Sequence, residues 1–259
     1  MSRGYGPRKR FGQHFLTDES TIEQIVAVIQ ARDTDTIVEI GPGRGAISQP
    51  LANLAGTFHA IELDRDLVPA LARKYHSQSK VNIHEADALS FDFASLGSDL
   101  RIVGNLPYNI STPLLFRLVG FRDAIRDMHF MLQKEVVDRM AAPPGNKTYG
   151  RLTIMLGCYM QIESLFDVPP TAFSPPPKVT SSVVRLRPLP ENVYEISNHA
   201  RLSSLVAEAF SQRRKTLRNA LKASVTEEEL VAAGMDPQAR PECATIANYV
   251  ELANQIARR

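Results

Sequence analysis

Thr36-Ile37-Val38-Glu39-Ile40-Gly41-Pro42-Gly43-Arg44-Gly45 is a short β-rich run that stops at a loop with glycine at every second position. A run of this kind reads as a buried strand whose C-terminal end opens into a helix. The glycines let the backbone approach a ligand at that end. Just downstream, Ile47, Leu51 and Leu54 recur at i, i+4 and i+7, which predicts one helix face laid on a sheet. Further strands are predicted over residues 57–63, 81–84, 101–103 and 128–132, with helical patterns between them. That alternation is the signature of an α/β fold, a doubly wound sheet with crossover helices. Upstream, Ser20 with Glu23 predicts a capping box that opens a helix with Ile22, Ile25, Val26 and Ile29 on one side. This helix is expected to cover the edge or mouth of the sheet.

Past residue 132 the pattern changes to a helix near 133–141, a turn at 143–146 and a mainly apolar segment over 152–160. Residues 169–190 hold seven of the 17 prolines, but Phe173 and the Val183-Val184 pair interrupt them. The segment therefore predicts a rigid loop leading into a late strand over 179–186. Pro188 and Pro190 mark a boundary, which divides the chain into domains at 1–187 and 191–259. The second is expected to be small and all-helical. Leu202, Leu205, Val206 and Ala209 share a face, Thr226 and Glu229 form a capping box, and Ile246, Leu252 and Ile256 follow.

Composition removes several classes. The chain has 259 residues, 44% hydrophobic and 22% charged, with a formal net charge of +2, so any basic surface must come from distribution. Its two cysteines, Cys158 and Cys243, have no CxxC spacing, which favours a reducing, cytoplasmic setting over a disulfide framework or a structural metal. No stretch approaches the roughly 20 apolar residues needed to span a bilayer, and no apolar signal core follows the basic N-terminus. A monomer without metal or membrane is expected. Basic residues do cluster. Arg3, Arg8, Lys9 and Arg10 precede the first acid, and Arg213, Arg214, Lys215, Arg218 and Lys222 lie between Glu208 and Glu227 with no acid among them. On a helix Lys215, Arg218 and Lys222 would share one side, with Phe210, Leu217 and Leu221 on the core side. Such clusters suit nucleic-acid phosphates, which supply affinity and position but no sequence code.

The loop at 41–45 departs from a dinucleotide fingerprint. Its third glycine comes one residue early, and Glu39 would set a carboxylate beside a pyrophosphate. A phosphate-free cofactor with a cationic centre suits it better, and S-adenosylmethionine has a sulfonium, an amino group and two free ribose hydroxyls. Glu62, 21 residues beyond Gly41, ends the second strand where a carboxylate accepts from both ribose hydroxyls. Asp87 follows the third strand, where it can accept from an adenine amino group.

Asn105-Leu106-Pro107-Tyr108 follows the fourth strand. An exocyclic adenine amine is a poor nucleophile because its lone pair is conjugated into the ring. The Asn105 carbonyl and the Leu106 backbone carbonyl, held by the fixed φ of Pro107, can both accept from that amine and direct its lone pair at a methyl donor. Tyr108 can stack on the base, and Phe173, among the prolines, is a candidate second face. The chemistry would then be positioning and dipolar stabilisation, with no covalent intermediate and no metal.

The chain resembles the ribosomal RNA small-subunit adenine N6,N6-dimethyltransferase family. The resemblance is carried by Arg8-Lys9-Arg10-Phe11-Gly12-Gln13-His14-Phe15-Leu16, residues 39–45, Glu62-Leu63-Asp64, residues 104–111, 131–136 and 175–184, and Phe210-Ser211-Gln212-Arg213-Arg214-Lys215-Thr216-Leu217. It implies a Rossmann-like methyltransferase domain, a helical C-terminal domain, and dimethylation of two adjacent adenosines in a hairpin loop near the 3′ end of 16S rRNA within the small subunit. It also implies contacts to S-adenosylmethionine from His14, Leu16, Gly41, Glu62, Asp87 and Asn105. The family usually has Asn where this chain has His14, which implies a backbone contact there and a structural role for the ring. Ile47-Ser48 stands where Leu-Thr is commoner. Rival readings are methylation of large-subunit rRNA adenine, a DNA adenine methyltransferase, a mainly non-catalytic assembly factor and a nicotinamide dehydrogenase. The 131–136 block, the proline loop and Arg213-Arg214-Lys215 favour the small-subunit enzyme.

Overall fold

The computed structural model describes residues 14–258. The sheet-bearing part begins with a two-residue strand, β1 (Phe15–Leu16), and helix α1 (Glu19–Ile29). The cap of α1 is Asp18, not the predicted Ser20. The Asp18 Oδ2 accepts from the Thr21 backbone N–H at 2.8 Å and from its hydroxyl at 2.6 Å, and Ser20 already lies inside the helix. Ile25 and Ile29 are buried as expected.

Strands β2 (Thr36–Ile40), β3 (Thr57–Glu62), β4 (Val81–Glu85), β5 (Leu100–Asn105) and β6 (Ile125–Gln133) run parallel, with α2 (Ser48–Leu54), α3 (Val68–Tyr75) and α4 (Ser111–Val119) between them. After β6 come α5 (Lys134–Met140), α6 (Arg151–Gly157), β7 (Met160–Val168), β8 (Phe173–Ser174) and β9 (Ser181–Pro188). The sheet order is β4-β3-β2-β5-β6-β9-β7, with β9 antiparallel to β6, and β1 pairs with β8 outside it. Strand order reverses at β2, which has β3 on one side and β5 on the other. That reversal opens a crevice at the strands' C-terminal ends.

The α/β reading matches this sheet, and the differences have local causes. Leu54 is 45% exposed, so α2 packs through Ser48, Leu51 and Ala52 instead. Strand β7 has no clean alternation, because Glu163 and Asp167 sit on a half-exposed strand at the sheet's edge, and so it was not predicted. Strand β6 begins before its expected range because the polar Asp127 is buried as the partner of Arg101, and β5 runs from Leu100 to Asn105, beyond the expected 101–103 at both ends.

The chain divides into two compact units, but not at 187/191 alone. One unit runs to Val137 and takes in Glu163–Pro188, and the other joins Asp138–Ile162 to the segment from Leu189 onward. The second unit contains α6, α7 (His199–Ser211), α8 (Leu217–Ala220), α9 (Glu227–Ala232) and α10 (Ile246–Ala257). Residues 138–162 belong to it because Tyr149, Ile154 and Met155 pack into the core of Leu205, Val206 and Tyr249. The Thr226–Glu229 capping box is formed in both directions. The predicted helix through Lys215, Arg218 and Lys222 is not. Thr216 is the N-cap of the four-residue α8, so Lys215 precedes the helix and Lys222 follows it.

Candidate active site

A cavity of about 370 Å³ sits at the C-terminal ends of the parallel strands in the first unit, within the usual range for a small-molecule site. The glycine loop forms one wall. Gly43 has φ +58, and a Cβ there would lie 3.2 Å from the Phe15 ring, so the loop closes only with glycine. Its N–H donates to Glu62 Oε2 at 3.1 Å, and the Asp64 N–H donates to Oε1 at 2.9 Å. Glu62 is only 6% exposed. Backbone donors thus fix both oxygens of a carboxylate that lines the cavity and still has acceptor capacity. Burial raises the Glu62 carboxyl above its ordinary range despite those donors.

Glu39 takes a different part from the one read in the sequence. It is buried at the base of the loop and accepts a short hydrogen bond from the Ser48 hydroxyl. Burial pushes its pKa up to about 8, so near neutrality it holds a proton and offers no fixed charge against a phosphate. The consequence for stability has a definite sign. The unfolded carboxyl ionises near 4.5, so the folded state binds the extra proton between 4.5 and about 8, and stability falls as pH rises through that window. Glu39→Gln removes this dependence while keeping an acceptor for Ser48. The variant is expected to match wild type near pH 5 and to exceed it by on the order of 2–4 kcal/mol at pH 9. Denaturant titration at the two pH values checks this. Equal gaps at both would mean that Glu39 does not carry the linkage.

Asn105 ends β5 and turns into α4. Its Nδ2–H donates to the His14 backbone carbonyl at 3.0 Å, which leaves Oδ1 as the end available to a ligand. The turn is closed by the Ile110 N–H on the Pro107 carbonyl at 3.1 Å and by the Ser111 hydroxyl on the Tyr108 carbonyl at 3.1 Å. No side chain fits at Gly104, where a Cβ would stand 2.6 Å from the Ile40 carbonyl oxygen. The strand bearing Asn105 therefore packs directly against the strand bearing the glycine loop.

The cavity brings together His14, Leu16, Gly41, Glu62 and Asp87 with the whole Asn105-Leu106-Pro107-Tyr108 segment. Asp87 is held in a turn by the Leu89 N–H on its Oδ1 at 2.9 Å. Phe173 is not among the lining residues. It is 4% exposed, pairs with Leu16 across β1 and β8, and packs in the core with Met131 and Val183, so the stacking face expected of it is not presented. Arg8, Lys9 and Arg10 lie outside the described residues. In the second unit Arg213 donates to the Lys147 and Tyr149 carbonyls, and Arg218 pairs with Glu227. Arg214, Lys215 and Lys222 are exposed. Among the described residues no cluster of three or more His, Cys, Asp or Glu is placed to hold a metal, and no helix is long and apolar enough to cross a membrane.

Leu63, Arg44 and His129 are among the lining residues that sequence reasoning left without a part in the site. Leu63 is 51% exposed at the cavity and stood in the Glu62-Leu63-Asp64 run without a role of its own. Arg44 lies over the Phe15 ring, 4.4 Å from its centroid. His129 is 3% exposed, with neither ring nitrogen hydrogen-bonded, and burial takes its pKa down to about 4. Arg44 stood in the glycine motif, but nothing in local pattern distinguishes His129 from the apolar residues of β6.

Residues 6–258 match the family model described as ribosomal RNA adenine dimethylase. The chain is 54% identical over 250 residues to the Ribosomal RNA small subunit methyltransferase A of Aromatoleum aromaticum, covering 96% of this chain and 94% of that one. It is 49% identical over 255 residues to the protein of the same name from Dechloromonas aromatica, covering 98% and 100%. Among solved structures, a dimethyladenosine transferase from Plasmodium falciparum is similar in fold, with a TM-score of 0.81 at 23% identity over 95% of this chain and 98% of that one.

Proposed function

The chain belongs to the ribosomal RNA adenine dimethylase family, and from that premise we propose that it moves methyl groups from S-adenosylmethionine to N6 of two adjacent adenosines in the 3′-terminal hairpin loop of 16S rRNA. Its place would be the cytoplasm, as a monomer acting on the small ribosomal subunit. The observation that carries this reading is the orientation of Asn105. Its amide nitrogen is tied back to the His14 carbonyl, and its oxygen is left for a donor in a cavity that also holds Glu62 and Asp87.

The residues present fit such a methyl donor. Glu62 is buried with both oxygens held by backbone donors, and a carboxylate so placed in the cavity wall suits a paired donor such as a vicinal diol. Nothing lies within 4 Å of where a Cβ on Gly41 would stand, so the loop leaves room beside its backbone. In this reading Glu62 holds the ribose, Asp87 accepts from the adenine amine, and Leu16, Gly41 and the His14 main chain line the rest. When bound, S-adenosylmethionine supplies an electrophilic methyl on a sulfonium.

The chain's own part is to prepare the nucleophile. In the first transfer Asn105 Oδ1 and the Leu106 carbonyl accept the two hydrogens of the target N6, drawing its lone pair out of conjugation with the ring; each transfer replaces one N6–H with N6–CH3, the proton leaving to solvent, so a single hydrogen is held in the second. Both acceptors sit on a turn stiffened by Pro107, so their dipoles need little reorganisation as positive charge develops on nitrogen. Tyr108 supports the face of a base that must be unpaired to expose its Watson–Crick edge, which costs least in a loop. Arg213, Arg214, Lys215, Arg218 and Lys222, together with Arg8, Lys9 and Arg10, are proposed to meet RNA phosphates.

The test is to incubate the protein with labelled S-adenosylmethionine and, separately, unmethylated small subunits, unmethylated large subunits and duplex DNA. Label is expected on two adjacent adenosines of the small subunit. Label confined to large subunits or DNA would replace this reading with one of its rivals, and binding without label would make the protein an assembly factor.

A further inference from the structure

We propose that His59 and His84 form a binding site for a divalent transition ion of tetragonal preference, nickel(II) or copper(II), held between β3 and β4. The pair lies outside the cavity and takes no part in methyl transfer, so the site stands independently of that reading.

His59 Nδ1 and His84 Nε2 are 3.0 Å apart. Their rings stack, with centroids 5.2 Å apart and planes inclined by 29°. In the parallel register His59 stands opposite Asn82, and Ile61 opposite His84, so His59, Asn82 and His84 share one face of the sheet. Strand β4 is the sheet's edge, both imidazoles are half-buried and Asn82 is exposed. An ion on the two nitrogens therefore keeps positions open for the Asn82 side-chain oxygen and for water. Phe91 closes the far side of His84, its ring edge-on at 5.4 Å.

The separation selects the metal. With metal–nitrogen bonds of about 2.0–2.1 Å, a 3.0 Å span subtends roughly 90° at the ion. That is the angle between neighbouring ligands in a square-planar or octahedral shell, the geometry that copper(II) and nickel(II) favour. Tetrahedral zinc would need the nitrogens about 3.4 Å apart.

The rings are also in the state that ligation needs. Burial lowers the pKa of both, so near neutrality both are uncharged. One hydrogen now lies between the two nitrogens, donated by one ring and accepted by the other. On binding it moves to the second nitrogen of its own ring, so no net proton leaves. No other two imidazoles among the described residues are paired in this way. His14 and His76 bond to backbone carbonyls, His199 meets the Tyr159 hydroxyl, and His129 is buried on β6. Strand β3 ends in Glu62 and β4 leads to Asp87. The ion would thus clasp together the two strands that deliver both of these acids to the cavity.

The experiment uses the full chain without an affinity tag. Calorimetric titration with nickel chloride is expected to show one saturable ion per chain, with zinc binding more weakly. His59→Ala and His84→Ala should each lower nickel affinity on the order of tenfold or more. Nickel should raise the melting temperature of wild type but not of either variant. One equivalent of copper(II) should give an electron paramagnetic resonance spectrum split by two nitrogens, reduced to one in each variant. A further measurement needs no variant. Substoichiometric copper(II) on wild type should broaden the amide signals of residues 59–61 and 82–85 before those of the second unit. The inference is overturned if nickel binding does not saturate or survives loss of either imidazole, if zinc outcompetes nickel at equal concentration, or if copper broadens other signals first.

Discussion

Replacing Asn105 with Ala is expected to lower the single-turnover rate of methyl transfer by about 10²- to 10³-fold, the usual cost of deleting one preorganised dipole at a reacting centre. RNA retention should stay close to wild type, because the residues proposed to bind phosphate lie elsewhere in the sequence. The geometry makes Asn105 hard to replace even by near neighbours. Its amide nitrogen donates to the His14 carbonyl at 3.0 Å. Asn105→Asp would put a second acceptor against that carbonyl, turning an attraction into a repulsion and rotating the remaining oxygen away. Asn105→Asp should therefore also fall by at least tenfold, although an acceptor is still present. Rapid-quench measurement of label transfer, paired with filter retention of small subunits, separates the two effects. If RNA retention collapsed together with the rate, Asn105 would be a structural residue of the turn and not a group acting on N6.

How much of this site could be read in advance depended on whether the signal was local. The end of β2, the glycine loop and the Asn105 turn are each encoded within about ten residues, by apolar pattern, φ > 0 positions and proline. They could therefore be placed at consecutive strand ends without a structure. Glu62 and Asp87 followed from that placement. What could not be read is contact between distant segments. Phe173 looks free among its prolines, but β1 pairs with β8 and draws it into the core. Residues 138–162 look continuous with the sheet until Tyr149 and Ile154 are seen packed among helices some fifty residues and more away. The His14 carbonyl serves Asn105 across 91 residues. The Glu39 charge was legible in the sequence but its proton was not, because burial and Ser48 are both products of the fold.

Arg101 shows the same principle in energetic form, and Arg101→Met is expected to destabilise the protein by about 3–5 kcal/mol at pH 7, the cost of leaving buried carboxylates without their partner. Arg101 is 6% exposed and its guanidinium is fully engaged. It meets Asp127 at 3.0 and 2.8 Å and Asp35 at 2.8 Å, and it donates to the Ile29 and Gln30 carbonyls that end α1. Burial alone would raise the Asp35 carboxyl, but bonds from Arg101, the Arg32 N–H and Arg126 outweigh it and hold the carboxyl below its ordinary value. A depressed folded-state pKa contributes stability above the unfolded value near 3.8, and that contribution is lost as pH falls through the lower folded value. The gap between wild type and Arg101→Met should therefore be widest near neutrality and should narrow below about pH 4. Urea titrations at both ends of this range measure it. Adding Asp127→Leu to Arg101→Met should recover part of the loss by removing one stranded charge. If the single variant lost less than about 1 kcal/mol, the worth of an exposed pair, the cluster would not be buried in solution. Arg101 joins the start of β5 to the end of α1, and β5 ends at Asn105. The charges that lock the base of the sheet thus fix the strand whose far end carries the reacting amide.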